Sequence, residues 1–491
     1  MSGARRNRAG RLSLSLAILV AAVALACAAI APAAGARPLL TGVTNIGGVD
    51  PLAFERTRGS GARYVRIPVF WGAVAPAERP AGWSPEDPSS PSYDWAVTDA
   101  AVTGALRAGL TPVLQVDGAP LWAQRCTSPP SLPTAICDPD PRALQAFATA
   151  AARRFDGSFG GLPRVRHWQA LNEPNLSTYF FPQFETSGKA LSAGLYRDLV
   201  NAFYAGVKAV AGSNLVLAAG LGPIANPPWT IGPMRFAREL LCMRGRKRPR
   251  PTPGNCEGGV HFDIFAIQPY TTGGPTHEGH ANDVQIGSLA KLQKLIRAAY
   301  EAGRIKGGSR RTPLWITEFS WDSKPPDPGG LPMRTLTRWT AEALHEAWLA
   351  GIDHFFWYSL RDDARDLERP YSQTLESGLY FRGATLAQDR PKRVLAAFRF
   401  PFVAYPGRRG LSFWGRTPNS KSGRVAIQVL EGKRWRKALV TRANQAGIFH
   451  GTVRSNYGRD RHGSARARFA KASSVPFSMR PVADFRHPPF G

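Results

Sequence analysis

Eight short apolar runs alternate with stretches of helical spacing, and no other feature of the sequence restricts the fold as much. The runs cover 39–45, 62–71, 111–116, 165–171, 215–220, 262–270, 313–319 and 352–358. Between them, 93–108, 141–155, 191–211, 286–302 and 335–350 carry apolar residues at helical intervals. The runs are apolar without alternation, as strands buried on both faces are. Eight such units over about 360 residues predict a (β/α)8 TIM barrel. A doubly wound sheet is the rival, but Gly47-Gly48 makes no glycine-rich phosphate loop. A parallel barrel keeps its chemistry at the C-terminal ends of its strands. Those ends carry Arg66, Asp117, Glu173, Gln268, Tyr270, Glu318 and Trp357.

Two of these residues share a local grammar. The apolar run from Val165 ends in Asn172-Glu173-Pro174, and 145 residues after Glu173 the run Leu314-Trp315-Ile316-Thr317 ends in Glu318. Two strand-end carboxylates in one barrel mouth imply a reaction that divides labour between them. One carboxyl keeps a proton to give away, and the other stays ionised.

Arg5, Arg6, Arg8 and Arg11 precede an apolar stretch to Ile30, and Ala34-Gly35-Ala36 is a small-x-small cleavage site. Residues 1–36 are therefore expected to be a signal peptide, with a secreted or envelope-associated mature chain starting near Arg37. An uncleaved membrane anchor is the alternative. Four cysteines remain after Cys27, in two local pairs. They allow three connectivities, and the short-loop pairing Cys126–Cys137 and Cys242–Cys256 is expected. A zinc site would call for CxxC spacing or a nearby His pair, and neither is present. His277, His280 and Asp283 are read as loop or substrate-contacting residues rather than metal ligands. Asp117 is read either as a cap on its own loop or as a substrate contact.

From about residue 401 helical patterns stop, and short runs such as 424–430 and 438–441 are separated by Gly, Asn and Ser. The expected division is a barrel over 37–404 and a small β-sandwich-like unit over 405–491. The formal charge of +28 is +24 without the four leader arginines, and residues 401–491 hold 18 Lys/Arg against 3 Asp/Glu. Such a surface suits an anionic glycan or cell envelope, or is simply a solvated arginine-rich face. Nucleic acid is not expected, since no aromatic–basic reading motif is present. A monomer is expected.

Trp168-x-x-x-Asn172-Glu173-Pro174-Asn175, taken with Trp315-Ile316-Thr317-Glu318-Phe319, resembles the retaining glycoside hydrolases of clan A. That group includes cellulase-like, mannanase-like and β-xylosidase-like enzymes. The resemblance covers roughly 37–404. It implies that Glu173 is the acid/base and Glu318 the nucleophile, with carboxyls about 5–5.5 Å apart. It also implies that Asn172 bonds the sugar 2-hydroxyl, Arg66 keeps Glu318 ionised, Tyr270 bonds the nucleophile, and Trp357 is a stacking floor. Many members have His where this chain has Gln268, which is read as a ligand-bonding amide. Trp71, Trp122 and Trp321 follow strand ends and are expected to line the cleft. The function so implied is an exported retaining glycosidase acting on a poly- or oligosaccharide, with no cofactor and no metal. The alternative is a carbohydrate-binding or envelope protein on the same fold with little turnover.

Overall fold

The structure is a computed structural model that describes residues 37–487, apart from 130, 132–134, 225–229, 254–257, 310, 366–369, 409, 455–462 and 483. The expected signal segment lies outside the described residues. Eight parallel strands close into a barrel. They are β1 (Leu40–Thr44), β2 (Tyr64–Phe70), β3 (Thr111–Asp117), β4 (His167–Ala170), β5 (Leu215–Leu221), β6 (Ile264–Ile267), β7 (Leu314–Ile316) and β8 (His354–Tyr358). Closure is made by β1, which pairs with β8 (Val43 opposite Trp357) and with β2 (Thr44 opposite Arg66).

A helix follows each strand: α1 (Pro51–Gly59), α2 (Ala96–Arg107), α3 (Pro141–Arg154), α4 (Ser192–Val210), α5 (Pro233–Leu240), α6 (Leu289–Glu301), α7 (Met333–Leu349) and α8 (Arg393–Arg399). Two start alike, with Asp before Pro. The Asp50 carboxylate accepts from Leu52 N–H at 2.8 Å, and the Asp140 carboxylate accepts from Arg142 N–H at 2.7 Å. The capping acid satisfies an orphan amide, and proline at the first helical position gives up no needed donor.

The barrel interior is layered. At its base Tyr64, His167, Trp315 and His354 pack together, with the Trp315 and His354 rings stacked at 3.7 Å and Tyr64 edge-on to His354 at 4.7 Å. Burial lowers His167 to about 4, so the layer is uncharged there. Val113, Leu217, Ile264 and Phe356 join Trp315 in the same inner cluster. Side chains alternate faces along a strand, so two residues on from Tyr64, His167 and Phe356 the inner face presents Arg66, Gln169 and Tyr358. An apolar plug therefore supports a polar mouth.

Beyond α8 the described residues form two β-sheets, with one short 3-10 turn at Pro418–Ser420. A three-stranded antiparallel sheet is built from β9 (Phe402–Gly407), β10 (Gly410–Arg416) and β13 (Ile448–Val453). A five-stranded one holds β11 (Gly423–Glu431), β12 (Arg434–Ala443), β14 (Ser464–Phe469), β15 (Ala472–Ser473) and β16 (Phe477–Ser478). Along β11, Val425, Ile427 and Val429 are buried in alternation. These sheets share one hydrophobic core with the barrel's outer layer. Trp414 meets His345 and Trp348 of α7 at 5.1 and 5.8 Å. The buried Arg416 donates to Leu39 O (2.8 Å), Thr41 Oγ1 (3.0 Å) and Phe398 O (3.1 Å). Among the described residues no helix is long and apolar enough to cross a membrane.

Candidate active site

The chain leaves β4 through two non-glycine residues in left-handed backbone, Leu171 (φ 57°) and Glu173 (φ 40°). Such conformations cost energy and persist only where surroundings enforce them. Here Glu173 N–H donates to Gly220 O at 3.2 Å. The Asn175 amide ties this turn to the next loop, accepting from Gly222 N–H (2.8 Å) and donating to Ile231 O (3.0 Å). Gly222 lets the backbone approach closely, since a Cβ there would stand 2.7 Å from Leu176 Cδ1 and 3.0 Å from Glu173 Oε1.

Arg66 forms the hub. Its Nε donates to Gln169 Oε1 (2.9 Å), Nη1 to Glu318 Oε1 (2.5 Å) and Nη2 to Asn172 Oδ1 (2.8 Å). Tyr270 Oη donates to the other Glu318 oxygen at 3.1 Å, and Gln268 Nε2 donates to Asn172 Oδ1 at 2.8 Å. With its oxygen taken twice, Asn172 has only its amide N–H groups to offer a ligand. Gln268 Oε1 is buried with no hydrogen-bond partner among the described residues.

The two glutamates are buried and electrostatically unequal. Burial raises both, but for Glu318 the Arg66 charge and the bonds from Tyr270 and Arg66 oppose it. Glu173 is held well above the ordinary carboxylate range, first by burial and then by the Glu318 charge. The ordering follows from charge pairing: Glu318 ionises first and Glu173 keeps its proton. Asp117 is a third carboxyl in the same field. Burial pushes it up to about 6, against the pull of Arg66, and it accepts from Gly118 N–H at 3.0 Å.

Two tyrosines belong to this neighbourhood that sequence patterns did not single out. The Tyr179 hydroxyl is raised chiefly by the Glu173 charge and then by burial, yet the residue is 36% exposed, in the loop after β4. The Tyr358 hydroxyl is raised by burial and then by Glu318, and it accepts from Asn45 Nδ2 at 3.1 Å. Tyr179 lies four residues past the Asn172–Asn175 motif, where no further pattern marks it. Tyr358 sits beside the conspicuous Trp357.

Three tryptophans are placed otherwise than expected. Trp71, Trp321 and Trp357 are 1%, 0% and 0% exposed and line no cleft. Trp357 alternates with the inward Phe356 and Tyr358, so it points out toward Phe398 of α8, its ring 6.1 Å away and its indole N–H bonded to Ser377 O (2.8 Å). Trp71 stacks on Phe147 of α3 at 5.4 Å, and Trp321 packs against Phe319 and Trp339 at 4.7 and 5.5 Å. Trp122 is half-buried, donating to Pro76 O at 2.9 Å. Of the expected disulfides Cys126–Cys137 is formed, with Cα atoms 5.3 Å apart. Cys242 is buried, and Cys256 lies outside the described residues. His277 Nδ1 faces Asp484 at 3.1 Å, and the His280 backbone N–H donates to Asp283 at 2.7 Å, so both bonds serve loop structure.

Fold and site together define a (β/α)8 barrel with two unequal buried carboxylates at its mouth. The chain superposes on a family 39 glycoside hydrolase from the gut symbiont Bacteroides cellulosilyticus WH2 with a TM-score of 0.52 and 16% identity, over 86% of this chain and 80% of that one. It is also similar to the GH39 enzyme of Xanthomonas axonopodis pv. citri (TM-score 0.49, 14% identity, 86% and 94% of the two chains). A third similar structure is a glucosidase from Croceicoccus marinus (TM-score 0.47, 14% identity, 85% and 81%). No protein-family model matches the sequence, and no curated protein does. At these identities the likeness is one of fold, a (β/α)8 barrel.

Proposed function

We propose that the chain is an exported retaining glycoside hydrolase that cleaves O-glycosidic bonds of a poly- or oligosaccharide. The observation that carries this reading is the unequal treatment of the two glutamates. Arg66 and Tyr270 engage both oxygens of Glu318, while burial and the Glu318 charge keep Glu173 protonated. A glycosidic oxygen leaves poorly unless it is protonated, and Glu173 supplies that proton. Glu318 attacks the anomeric carbon as the bond to the leaving oxygen breaks, giving a glycosyl-enzyme ester. Glu173, now ionised, takes a proton from water, which attacks the same carbon and releases Glu318. The free amide N–H of Asn172 suits a bond to the sugar 2-hydroxyl, which strengthens as positive charge develops on the ring.

The leader and the Cys126–Cys137 bridge support an oxidising, extracytoplasmic setting. Residues 37–404 are assigned to catalysis. Residues 405–491 are assigned to contact with an anionic glycan or envelope, a role supported by exposed Lys433, Arg434, Arg436, Lys437 and Arg442.

A panel of aryl glycosides and polysaccharides, with the first-formed product anomer followed by NMR, tests the reading. Net retention is expected, and Glu318→Gln should lower turnover by about a thousandfold or more while sugar still binds. An inverted product would refute the double displacement. Failure of the wild-type protein to cleave any substrate it binds would favour a binding protein on this fold.

A further inference from the structure

The loop after β7 leaves the mouth through Trp321-Asp322 and folds back on itself, with Leu331 N–H donating to Asp322 O at 2.9 Å. It also meets the loop after β8, where Ser323 N–H donates to Glu376 O at 3.2 Å. At this junction one carboxylate oxygen from each of Asp322, Asp327 and Glu376 lies within 4.8 Å of the others. All three residues are buried, Asp327 and Glu376 at 2% exposure. Gly329 N–H donates to Asp327 Oδ1 at 2.7 Å, but Asp327 Oδ2 is buried and accepts no hydrogen bond. Glu376 Oε2 is in the same state.

Buried carboxylate oxygens are not left without a partner unless something else meets them. The buried ammonium beside the cluster, Lys392, is committed to Asp362, to Ser323 Oγ (2.8 Å) and to Glu376 O (2.7 Å). The Lys392 charge also faces Asp322 and Glu376 across the cluster, and His487 faces Asp327. Three carboxylates without imidazole or thiolate form an oxygen-only donor set, which selects hard cations over zinc or copper. Oxygens arranged about 2.3–2.6 Å from a common centre stand within about 5 Å of one another, so the spacing admits calcium.

We propose that Asp322, Asp327 and Glu376 form a binding site for a hard divalent cation of the calcium type. The ion clamps the loop that follows the Glu318 strand to the loop after β8. The site stands apart from the Arg66 network and does not depend on the activity proposed above.

The test uses the whole mature chain, purified without chelator. Metal analysis is expected to find about one calcium per chain. Melting in excess CaCl2 should exceed melting in EDTA by about 3 °C at a hundredfold excess over Kd. Asp327→Asn and Glu376→Gln should each lose that response. Asp327→Asn should also melt above wild type in EDTA, since it removes one of the crowded charges, so its lost response is not explained by misfolding. Identical wild-type melting in EDTA and CaCl2 overturns the proposal. So does a calcium response that survives in both variants. If the wild type in EDTA is stabilised by lowering the pH from 7 to 5 and calcium has no effect, the cluster shares protons rather than a metal, and the proposal is lost.

Discussion

Arg66 serves three acceptors with one rigid fork, and each has a different task. Gln169 holds the guanidinium, Glu318 receives its charge, and Asn172 is oriented by it. A lysine reaches one such acceptor at a time. Arg66→Met, which removes both the fork and the charge, should lower kcat and move the acidic limb of the pH–kcat/KM profile to higher pH, because the Arg66 charge opposes the burial that raises Glu318. An unmoved limb would detach Arg66 from the ionisation of Glu318. Glu173 makes a complementary prediction about stability. Its folded value lies above the unfolded one, so its proton favours the fold at pH below the ordinary glutamate value, and that advantage is lost as pH rises through the folded value. Glu173→Gln carries no such dependence. It should melt above wild type at pH 8 and converge with it near pH 4, which melting across pH will read. A buried carboxylate pair that weakens the fold holding it fits the stability–activity trade-off expected of the proposed function.

At the scale of the element, parity along a strand decides which side chain reaches the mouth. On β8, His354, Phe356 and Tyr358 face inward and Trp357 faces α8. Trp357→Ala should cost about 3–5 kcal/mol of stability by denaturant melting, and the protein that folds should keep its KM. Tyr358→Phe should leave stability near wild type and change KM, because the hydroxyl beside Asn45 and Glu318 is lost. The reverse pattern would return Trp357 to the cleft. The sequence pattern predicts the strands well and this parity poorly, for one reason. Strands buried on both faces read as unbroken apolar runs, so no alternation marks inside from outside. Arg66, Asn172, Gln268, Tyr270 and Glu318 do meet, because a polar residue at an apolar strand's end has only the mouth to go to. Trp71 and Trp321 are equally at home in the helix layer, and they lie there. α1, α5 and α8 escaped the periodicity because they are short, with only Ala53, Phe54 and Thr57 buried along α1. The Asp322–Asp327–Glu376 cluster spans two loops, and no local spacing announces it.

Across the whole molecule, the β-rich C-terminal part and the barrel are energetically one body, and this bears on how the basic surface should be tested. Trp414 packs on α7, and Arg416 satisfies acceptors at the start of β1 and on α8. Burial lowers Arg416 to about 10, a cost that its hydrogen bonds offset. Ending the chain near Pro401 would strip Trp348 and His345 of their cover and leave Leu39 O and Phe398 O without their donor. Such a truncation should yield insoluble or unstable barrel, and its lost retention on a polysaccharide would then report unfolding rather than lost contact. The informative change is on β12, whose Arg434, Arg436 and Lys437 are exposed. Reversing these three and Lys433 to Glu should leave melting and aryl-glycoside turnover close to wild type. Retention on an anionic polysaccharide should disappear, and wild-type retention should itself fall steeply between low and high salt, as screening shortens the reach of exposed charges. Salt-independent retention, or retention that survives the reversal, would mean that the positive surface is only a solvated face. The arginines of the tail would then serve solubility rather than address.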